Sequence, residues 1–334
     1  MRPSICFMPN DSGFNSYSKI MIDILNSIGD VDTNITYKAI LKEILAFNLK
    51  KRDLIFINWL ESKLVTRKGR INPLGIVSFF LIILACKIKF RKVIYTKHNF
   101  YPHNTNKPLV PFLIFIIEKM SSLCDNVIVH SPTAVKKNET YIPHPLYRFN
   151  EEKKECDYNK QKTMHGAEYS YVVFGSISAY KKIDYLIKAF PSAKRLLILG
   201  WSDNQDYLSE LSRLADNYPN VNIKTGKFSD EEIKKIIANG YIMILNHHSA
   251  DMIVSGSFFF GLSIGIPMIS FRTPYTEWAN DTFGDNLIRL IDNYEQLREM
   301  INDVPIIPNE LFIKAVKEKF SDKVIVQNLM KIIY

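Results

Sequence analysis

Only four cysteines occur in the 334 residues, Cys6, Cys86, Cys124 and Cys156. None forms a C-x-x-C pair and three sit inside apolar runs, which excludes a zinc ribbon and the dense disulfide scaffold of small secreted domains. They read as reduced core thiols. Glycine is sparse, at 13 residues, and the loop after the first expected strand lacks G-x-G-x-x-G, so a nicotinamide cofactor has no support. No apolar run reaches the roughly 20 residues of a membrane-spanning helix. Pro73 to Lys89 (PLGIVSFFLIILACKIK) falls just short and Pro108 to Ile117 (PLVPFLIFII) far short. The opening MRPSICFMPNDSG has one arginine and then a strand-length apolar run broken by Pro9, too short for a signal-peptide core, so a cytoplasmic protein is expected. Short repeats and low-complexity tracts are absent, which argues against a solenoid or a disordered chain. Zinc-finger spacing, an RNA-binding aromatic signature and a recognition-helix cluster are also missing, and no nucleic-acid partner is expected.

What remains is an ordinary globular composition, 47% apolar and 23% charged, with a formal charge of +9. That sign favours anionic partners, namely diphosphate substrates or lipid head groups. The Pro73–Lys89 run is compatible with a buried helix of a parallel-sheet domain. It is also compatible with a helix whose outer face touches an anionic membrane surface, because Lys87, Lys89, Arg91 and Lys92 cluster at its end.

Short β-rich apolar runs alternate with helical patterns throughout, the rhythm of βαβ units on parallel sheets. In the first half the pattern predicts strands at Ser4–Met8, Asn34–Lys38, Asp53–Asn58, Lys92–His98 and Asn126–His130. Helices are expected near Ser16–Ser27, Lys38–Asn48, Pro73–Lys87 and Leu109–Leu123. In the second half strands are expected at Tyr171–Ile177, Arg195–Leu199, Val221–Thr225, Tyr241–Asn246, Pro267–Phe271 and Asn286–Leu290. Tyr147 to Ala167 is polar, charged and aperiodic, which suits a connection between domains. The expected division is residues 1–150, a linker at 151–168, residues 169–308, and a helical tail at 309–334 that could pack across both domains.

Four segments carry candidate chemistry. In YVVFGSISAYKKIDYLIKAF a strand ends in Gly175 and a loop brings Lys181 and Lys182 to its carboxyl end, where parallel sheets bind ligands and a lysine can neutralise phosphate. In VSGSFFFGLSIGIP, Ser255, Gly256 and Ser257 open a helix-length run, and a helix N-terminus with a glycine suits phosphate as well as simple capping by serine. In VIYTKHNFYPHN, His98 follows a strand end with Asn99, Tyr101, Pro102 and His103 behind it. A histidine there can hydrogen-bond a sugar hydroxyl or accept a proton, or be satisfied within a loop network. His130 and His144 read as structural. The loop FMPNDSGFNSYS offers Asp11 as a candidate base, with a helix-capping role as the alternative, and Gly13 at its turn.

The FGSISAYKKIDYLIKAF and SGSFFFGLSIGIPMIS segments resemble the donor-binding half of GT-B glycosyltransferases, especially the large bacterial polysaccharide family (glycosyltransferase family 4-like), over residues 170–290. The resemblance implies two Rossmann-like doubly wound α/β domains facing a central cleft, the first for the acceptor and the second for the nucleotide-sugar. The family's glycine, arginine, then lysine-glycine pattern holds the donor diphosphate. Lys181 matches its lysine, whereas Ser176 stands for the arginine and Lys182 for the glycine. The family's paired glutamates fall near Met252 and Phe260 and are missing, with Asp251 beside the first and the Ser255-Gly256-Ser257 amides as the remaining phosphate donors. Glu277, in RTPYTEWA, stands where the family often has a proline-glutamate pair, and a structural helix-start role fits it equally. The segment holding His98 is similar to the threonine-histidine loop that faces the donor sugar, with Asn99, His103 and Gly13 toward the acceptor side.

Such sites usually hold no metal, and an Asp-x-Asp pair is not expected in this chain, so Lys181 and helix amides would stabilise the leaving nucleoside diphosphate. The expected activity is that of a hexosyltransferase using a nucleotide-sugar as substrate, without a separate cofactor. It would serve a glycan or lipid-linked acceptor in bacterial surface polysaccharide synthesis, in the cytoplasm or peripheral on the inner face of the plasma membrane. A GT-B-fold sugar-nucleotide epimerase and a non-catalytic, decayed transferase are the alternatives.

Overall fold

The structure is a computed structural model and describes residues 2–9, 16–66, 68–103, 105–149, 170–237, 241–247, 253–302 and 310–334. Asp11, Gly13, Asp251, Met252 and most of the expected linker lie outside the described residues. Contacts divide the chain into two compact units, one of Met1–Pro145, Asp251–Val254 and Phe320–Tyr334, the other of Leu146–Ala250 and Ser255–Lys319.

The first unit is built on a parallel six-stranded sheet, β1 (Ser4–Met8), β2 (Asp30–Asp32), β3 (Arg52–Asn58), β4 (Phe90–Thr96), β5 (Asn126–Val129) and β6 (Glu139–Tyr141), in the order β2-β1-β3-β4-β5-β6. The order reverses between β1 and β3, and such a switch point opens a crevice at the carboxyl ends of the strands. On one face, α2 (Tyr37–Leu45), α3 (Pro73–Lys89) and α4 (Val110–Ser121) bury Ile40, Phe79, Ile82, Ile83, Leu113 and Ile117 against Ile55, Ile57, Val93 and Tyr95. On the other face, α1 (Ser16–Asn26) packs with the C-terminal helix of the chain, Asp322–Ile333, whose Ile325, Leu329, Ile332 and Ile333 meet Ile20, Ile24, Ile5 and Phe7. Lys92 reinforces that return by donating to the terminal carbonyls of Ile332 and Ile333, at 2.8 and 2.9 Å, where a helix dipole favours a cation.

Residues 34–38 are not the expected strand. The Asp32 carboxylate accepts from the Asn34 backbone at 2.9 Å and Thr36 caps α2 by accepting from the Ala39 backbone, so the chain turns into a helix there. The paired strand is the shorter β2, bonded to β1 from Ser4↔Asp30 to Cys6↔Asp32. Strand β6, which no apolar run announces, pairs with β5 at the far edge.

The second unit has its own parallel sheet, β7 (Ser170–Ser176), β8 (Leu196–Trp201), β9 (Val221–Thr225), β10 (Tyr241–Leu245), β11 (Met268–Phe271) and β12 (Ile288–Ile291), in the order β12-β11-β10-β7-β8-β9. Its reversal falls between β7 and β10. Helices α5 (Ile183–Ala189), α6 (Gln205–Ala215) and α10 (Tyr294–Asn302) bury Leu186, Leu211 and Leu297 against one face of the sheet. Helix α7 (Asp230–Ile237) leads into β10, while α8 (Gly256–Ile264) lies on β10 and α9 (Pro274–Phe283) follows β11. The segment Glu310–Lys319 forms α11, so the final helix of the first unit is α12. Two α/β units with helices on both faces of all-parallel sheets are the architecture that the βαβ rhythm implies.

Strands β7 and β8 run so close at their carboxyl ends that a Cβ on Gly200, at φ +154°, would lie 1.8 Å from the Gly175 carbonyl oxygen. Gly200→Ala is therefore expected to cost about 2 kcal/mol or more. The urea midpoint measures it, and an unchanged midpoint would show that the strands separate there without cost.

Candidate functional site

In the second unit the residues singled out in the two motifs converge at the switch point. Gly175, at φ +111°, sits at the end of β7, and a Cβ there would lie 3.2 Å from Ser257 Oγ and 3.5 Å from Lys181 Nζ. Lys181 closes a 3-10 turn, Ala179–Lys181, with only 6% of its surface exposed. Burial lowers its pKa from 10.5 to about 8. Among the described residues no carboxylate pairs with it, and its ammonium lies 6.0 Å from the centre of the Tyr180 ring.

The backbone around Lys181 is held from neighbouring elements. Asn246, one residue past β10, donates to the carbonyls of Lys181 and Lys182 at 2.6 and 3.2 Å. The Tyr294 hydroxyl donates to the same amide's oxygen at 3.2 Å. Lys182 is left-handed, at φ 50°. This is the position where the resembling family has glycine, and a lysine there costs on the order of 1–2 kcal/mol unless neighbouring contacts enforce it. The Asn246 and Tyr294 bonds are those contacts.

Helix α8 starts at the same place. Ser255 caps it, accepting from the Phe258 backbone at 3.4 Å, while its hydroxyl lies 3.3 Å from His247 Nε2. Ser257 donates to the Phe174 carbonyl at 3.1 Å, tying the helix to β7. The backbone N–H groups of Gly256 and Ser257 then have no intrahelical acceptor, as at any helix start. Ser257 Oγ and Lys181 Nζ both border the space over Gly175, so the start of α8, with its first amides, lies beside an unpaired cation. A set of this kind can hold a phosphate or diphosphate.

Phe260, near which the resemblance would put a glutamate, is fully buried in α8 and rests on Phe174, ring centres 4.7 Å apart. Ser176, in the arginine position, shares a 2.8 Å hydroxyl contact with Ser178. Glu277 lies in the first turn of α9 and is half exposed, 3.5 Å from Arg272, which also bonds Asp292 at 2.8 Å. These are exposed ion pairs, screened by solvent and salt. The Asp-x-Asp string that the sequence does contain, Asp30-Val31-Asp32, is the edge strand β2, with Asp30 3.5 Å from Arg2.

In the first unit the sequence treats three histidines separately and the fold assembles them. His98, His130 and His144 surround Tyr17, with ring centres 5.0 to 5.3 Å from it. All three rings are buried, so His98 faces the protein interior rather than open solvent. The His130 Nδ1 lies 2.8 Å from the Ile142 carbonyl, which can only accept, so Nδ1 carries the proton and Nε2 accepts from the Tyr17 hydroxyl at 2.7 Å. Burial holds His130 down at about 4, and burial plus the neighbouring histidines hold His98 and His144 well below 6.5.

Asn58 orients His98. Its amide nitrogen donates across the switch point to the Met8 carbonyl at 3.3 Å, leaving its oxygen to accept from His98 Nε2 at 3.2 Å. His98 Nδ1 is then the ring's hydrogen-bond acceptor. Trp59, left-handed at φ 50°, stacks on the same ring at 4.5 Å. Below it, burial raises the Glu61 pKa, the Tyr95 hydroxyl donates to that carboxyl at 2.6 Å, and the Asn99 side chain and His98 backbone amide point at it as well. Asn99 thus anchors the loop. His103 lies half-buried in the turn beyond. Asn58, Trp59 and Tyr17 had no signal in the sequence beyond their places near strand ends and a helix start.

No protein-family profile matches the sequence, and no curated protein matches it at the sequence level. The fold has close counterparts among solved structures. HepE of Anabaena, in complex with UDP and glucose, is 13% identical over 98% of both chains, with a TM-score of 0.65. Sucrose-phosphate synthase from Thermosynechococcus elongatus is 14% identical over 99% of this chain and 98% of its own, at 0.67. The lipopolysaccharide outer core galactosyltransferase WaaB, in its apo form, is 12% identical over 100% of this chain and 99% of its own, at 0.59. The chain has the α/β fold of GT-B glycosyltransferases.

A histidine that is neutral when folded and ordinary when unfolded lets the unfolded chain take up a proton first as pH falls. Stability is therefore complete above about pH 6.5 and declines from there, for His130 down to about 4. Relative to His130→Gln, the wild type should lose stability more steeply across that window, by about 1.4 kcal/mol per pH unit. Parallel pH profiles from denaturant unfolding would show that the ring is not held neutral.

Proposed function

We propose that the chain is a hexosyltransferase that takes a sugar from a nucleotide-sugar donor and, without a metal, passes it to a glycan or lipid-linked acceptor. The setting is the assembly of bacterial surface polysaccharide, in the cytoplasm and peripheral on the inner face of the plasma membrane. One observation carries the proposal. Lys181 is buried beside Gly175 and the start of α8 and meets no carboxylate among the described residues. Keeping an unpaired cation there opposes folding, and an anion that arrives as substrate relieves the opposition. HepE, a structural neighbour, was solved with UDP-glucose, which supports a nucleotide-sugar as that anion.

In the transfer, the bond between the anomeric carbon and the diphosphate breaks and its electron pair stays on the phosphate oxygen. The acceptor hydroxyl oxygen bonds to the anomeric carbon and releases its proton. The diphosphate gains charge as the bond breaks, and preorganised donors aimed at it lower the barrier. Lys181 and the Gly256 and Ser257 amides are suited to that role, with Asp251 assigned to the same donor site and Glu277 to its edge. His98 is a weak base because its pKa is held so low, so a hydrogen bond from a sugar hydroxyl to Nδ1 suits it better than proton abstraction. Asp11 remains the proposed base, with Gly13, Asn99 and His103 on the acceptor side.

Lys181→Met tests the proposal from two sides. With a pKa of about 8 when folded and 10.5 when unfolded, the unfolded chain holds the proton more tightly. The opposition to folding is thus complete below pH 8 and disappears as pH rises to 10.5, and its size is about 3 kcal/mol. The variant should be more stable than wild type at neutral pH, with the gap closing above pH 8. Its affinity for a nucleoside diphosphate should fall roughly 10- to 150-fold, a charge-assisted contact of about 1.5–3 kcal/mol. Undiminished nucleotide affinity in calorimetry would remove Lys181 from the site. Acceptor-dependent release of nucleoside diphosphate by the wild type separates a transferase from an epimerase, which needs no acceptor, and from a binding protein, which releases none.

A further inference from the structure

Helix α3 has no polar face. Its inner side, Phe79, Ile82, Ile83 and Cys86, is buried in the core of the first unit. Its outer stripe is Leu74, Val77, Phe80, Leu81, Leu84 and Ile88, all exposed, from 80% at Leu74 to 37% at Ile88. A soluble helix normally carries polar residues on that side. The apolar surface continues onto α2 and the segment behind it, with Leu41, Leu45, Phe47 at 87% and Leu49, and onto α4 with Phe112 and Phe115. Both helices pack beside α3. With 17 residues, α3 is about 25 Å long, and no helix among the described residues is long and apolar enough to cross a membrane.

The charges around this surface indicate what covers it. The basic run expected to meet lipid is engaged within the protein. Lys87 pairs with Asp125 at 2.6 Å, Lys89 is buried against Glu43 at 2.7 Å, and Lys92 caps α12. Other lysines take its place, since Lys42, Lys50, Lys51, Lys107 and Lys119 are exposed and unpaired among the described residues. Lys119 lies 5.6 Å over the exposed Phe115 ring. The two carboxylates on these helices, Glu43 and Glu118, are already taken by Arg52 with Lys89 and by Lys136. A second copy of the chain would oppose lysine to lysine across this face, whereas anionic head groups over acyl chains complement both its charge and its apolar stripe.

We infer that the α2–α3–α4 face seats the protein on an anionic bilayer, with α3 lying in the plane of the interface and its outer stripe in the acyl boundary. This rests on the membrane-side acceptor proposed above and names the surface that reaches it. Because the stripe inserts, part of the binding persists in high salt, unlike a purely electrostatic attachment.

The test is flotation of the full chain with phosphatidylcholine vesicles, with and without phosphatidylglycerol. Anionic vesicles should carry the protein and retain a fraction of it in high salt. Leu81→Glu combined with Leu84→Glu should lower partitioning at least 10-fold, as should Leu74→Glu, with melting temperature and nucleotide binding unchanged, which separates this inference from the donor-site proposal. Lys50→Glu with Lys51→Glu should reduce the preference for anionic vesicles. Wild-type vesicle binding by the leucine variants would overturn the inference. So would a light-scattering dimer that those variants abolish while vesicle binding stays intact.

Discussion

A positive charge placed where water is largely excluded must find a negative partner or weaken the fold, and Lys181 is in that position. Burial pulls its pKa down to about 8, and no carboxylate among the described residues answers it. The surrounding structure makes room for an anion. Gly175 and Gly200 keep side chains away from the ends of β7 and β8, and Asn246 and Tyr294 hold the strained Lys182 that turns the chain into α5. Ser255 caps α8 so that the next two amides are free to donate. Each of these devices is local, yet they come from four separate stretches of sequence that meet because β7 and β10 flank the reversal in strand order.

The first unit uses its own reversal differently. Asn58 bridges the ends of β1 and β3, and the side chain it orients, His98, comes from the end of the next strand, β4. Tyr17 and His130 complete a buried, neutral cluster in which each proton has an assigned place. Neutral imidazoles bind hydroxyls and leave the local charge unchanged. The cluster carries no charge, unlike the buried Lys181 of the second unit.

Much of this was legible in the sequence, for physical reasons that differ by element. The βαβ rhythm is a repeated local signal, so ten of the twelve strands overlap the expected runs, while β2 precedes the run expected at 34–38 and β6 was unannounced. The β7–α5 loop was readable because glycine, lysine and a strand end stand within a few residues. The histidine cluster was not, because His98, His130 and His144 are separated by whole strands and meet only through the pairing of β4 with β5 and the turn beyond β6. Asn58 and Trp59 look like an ordinary strand end. The Pro73–Lys89 run left both a buried helix and a membrane face open, since only the packed structure shows which side of α3 is buried. It shows as well that the adjacent basic residues already have protein partners.

The most direct measurement is a crystal structure of the chain with a nucleoside diphosphate bound. A phosphate oxygen should lie within hydrogen-bond distance, about 3 Å, of Lys181 Nζ, with a second near the Gly256 or Ser257 amide. A diphosphate bound elsewhere, with Lys181 paired instead to a carboxylate such as Asp251, would contradict the account.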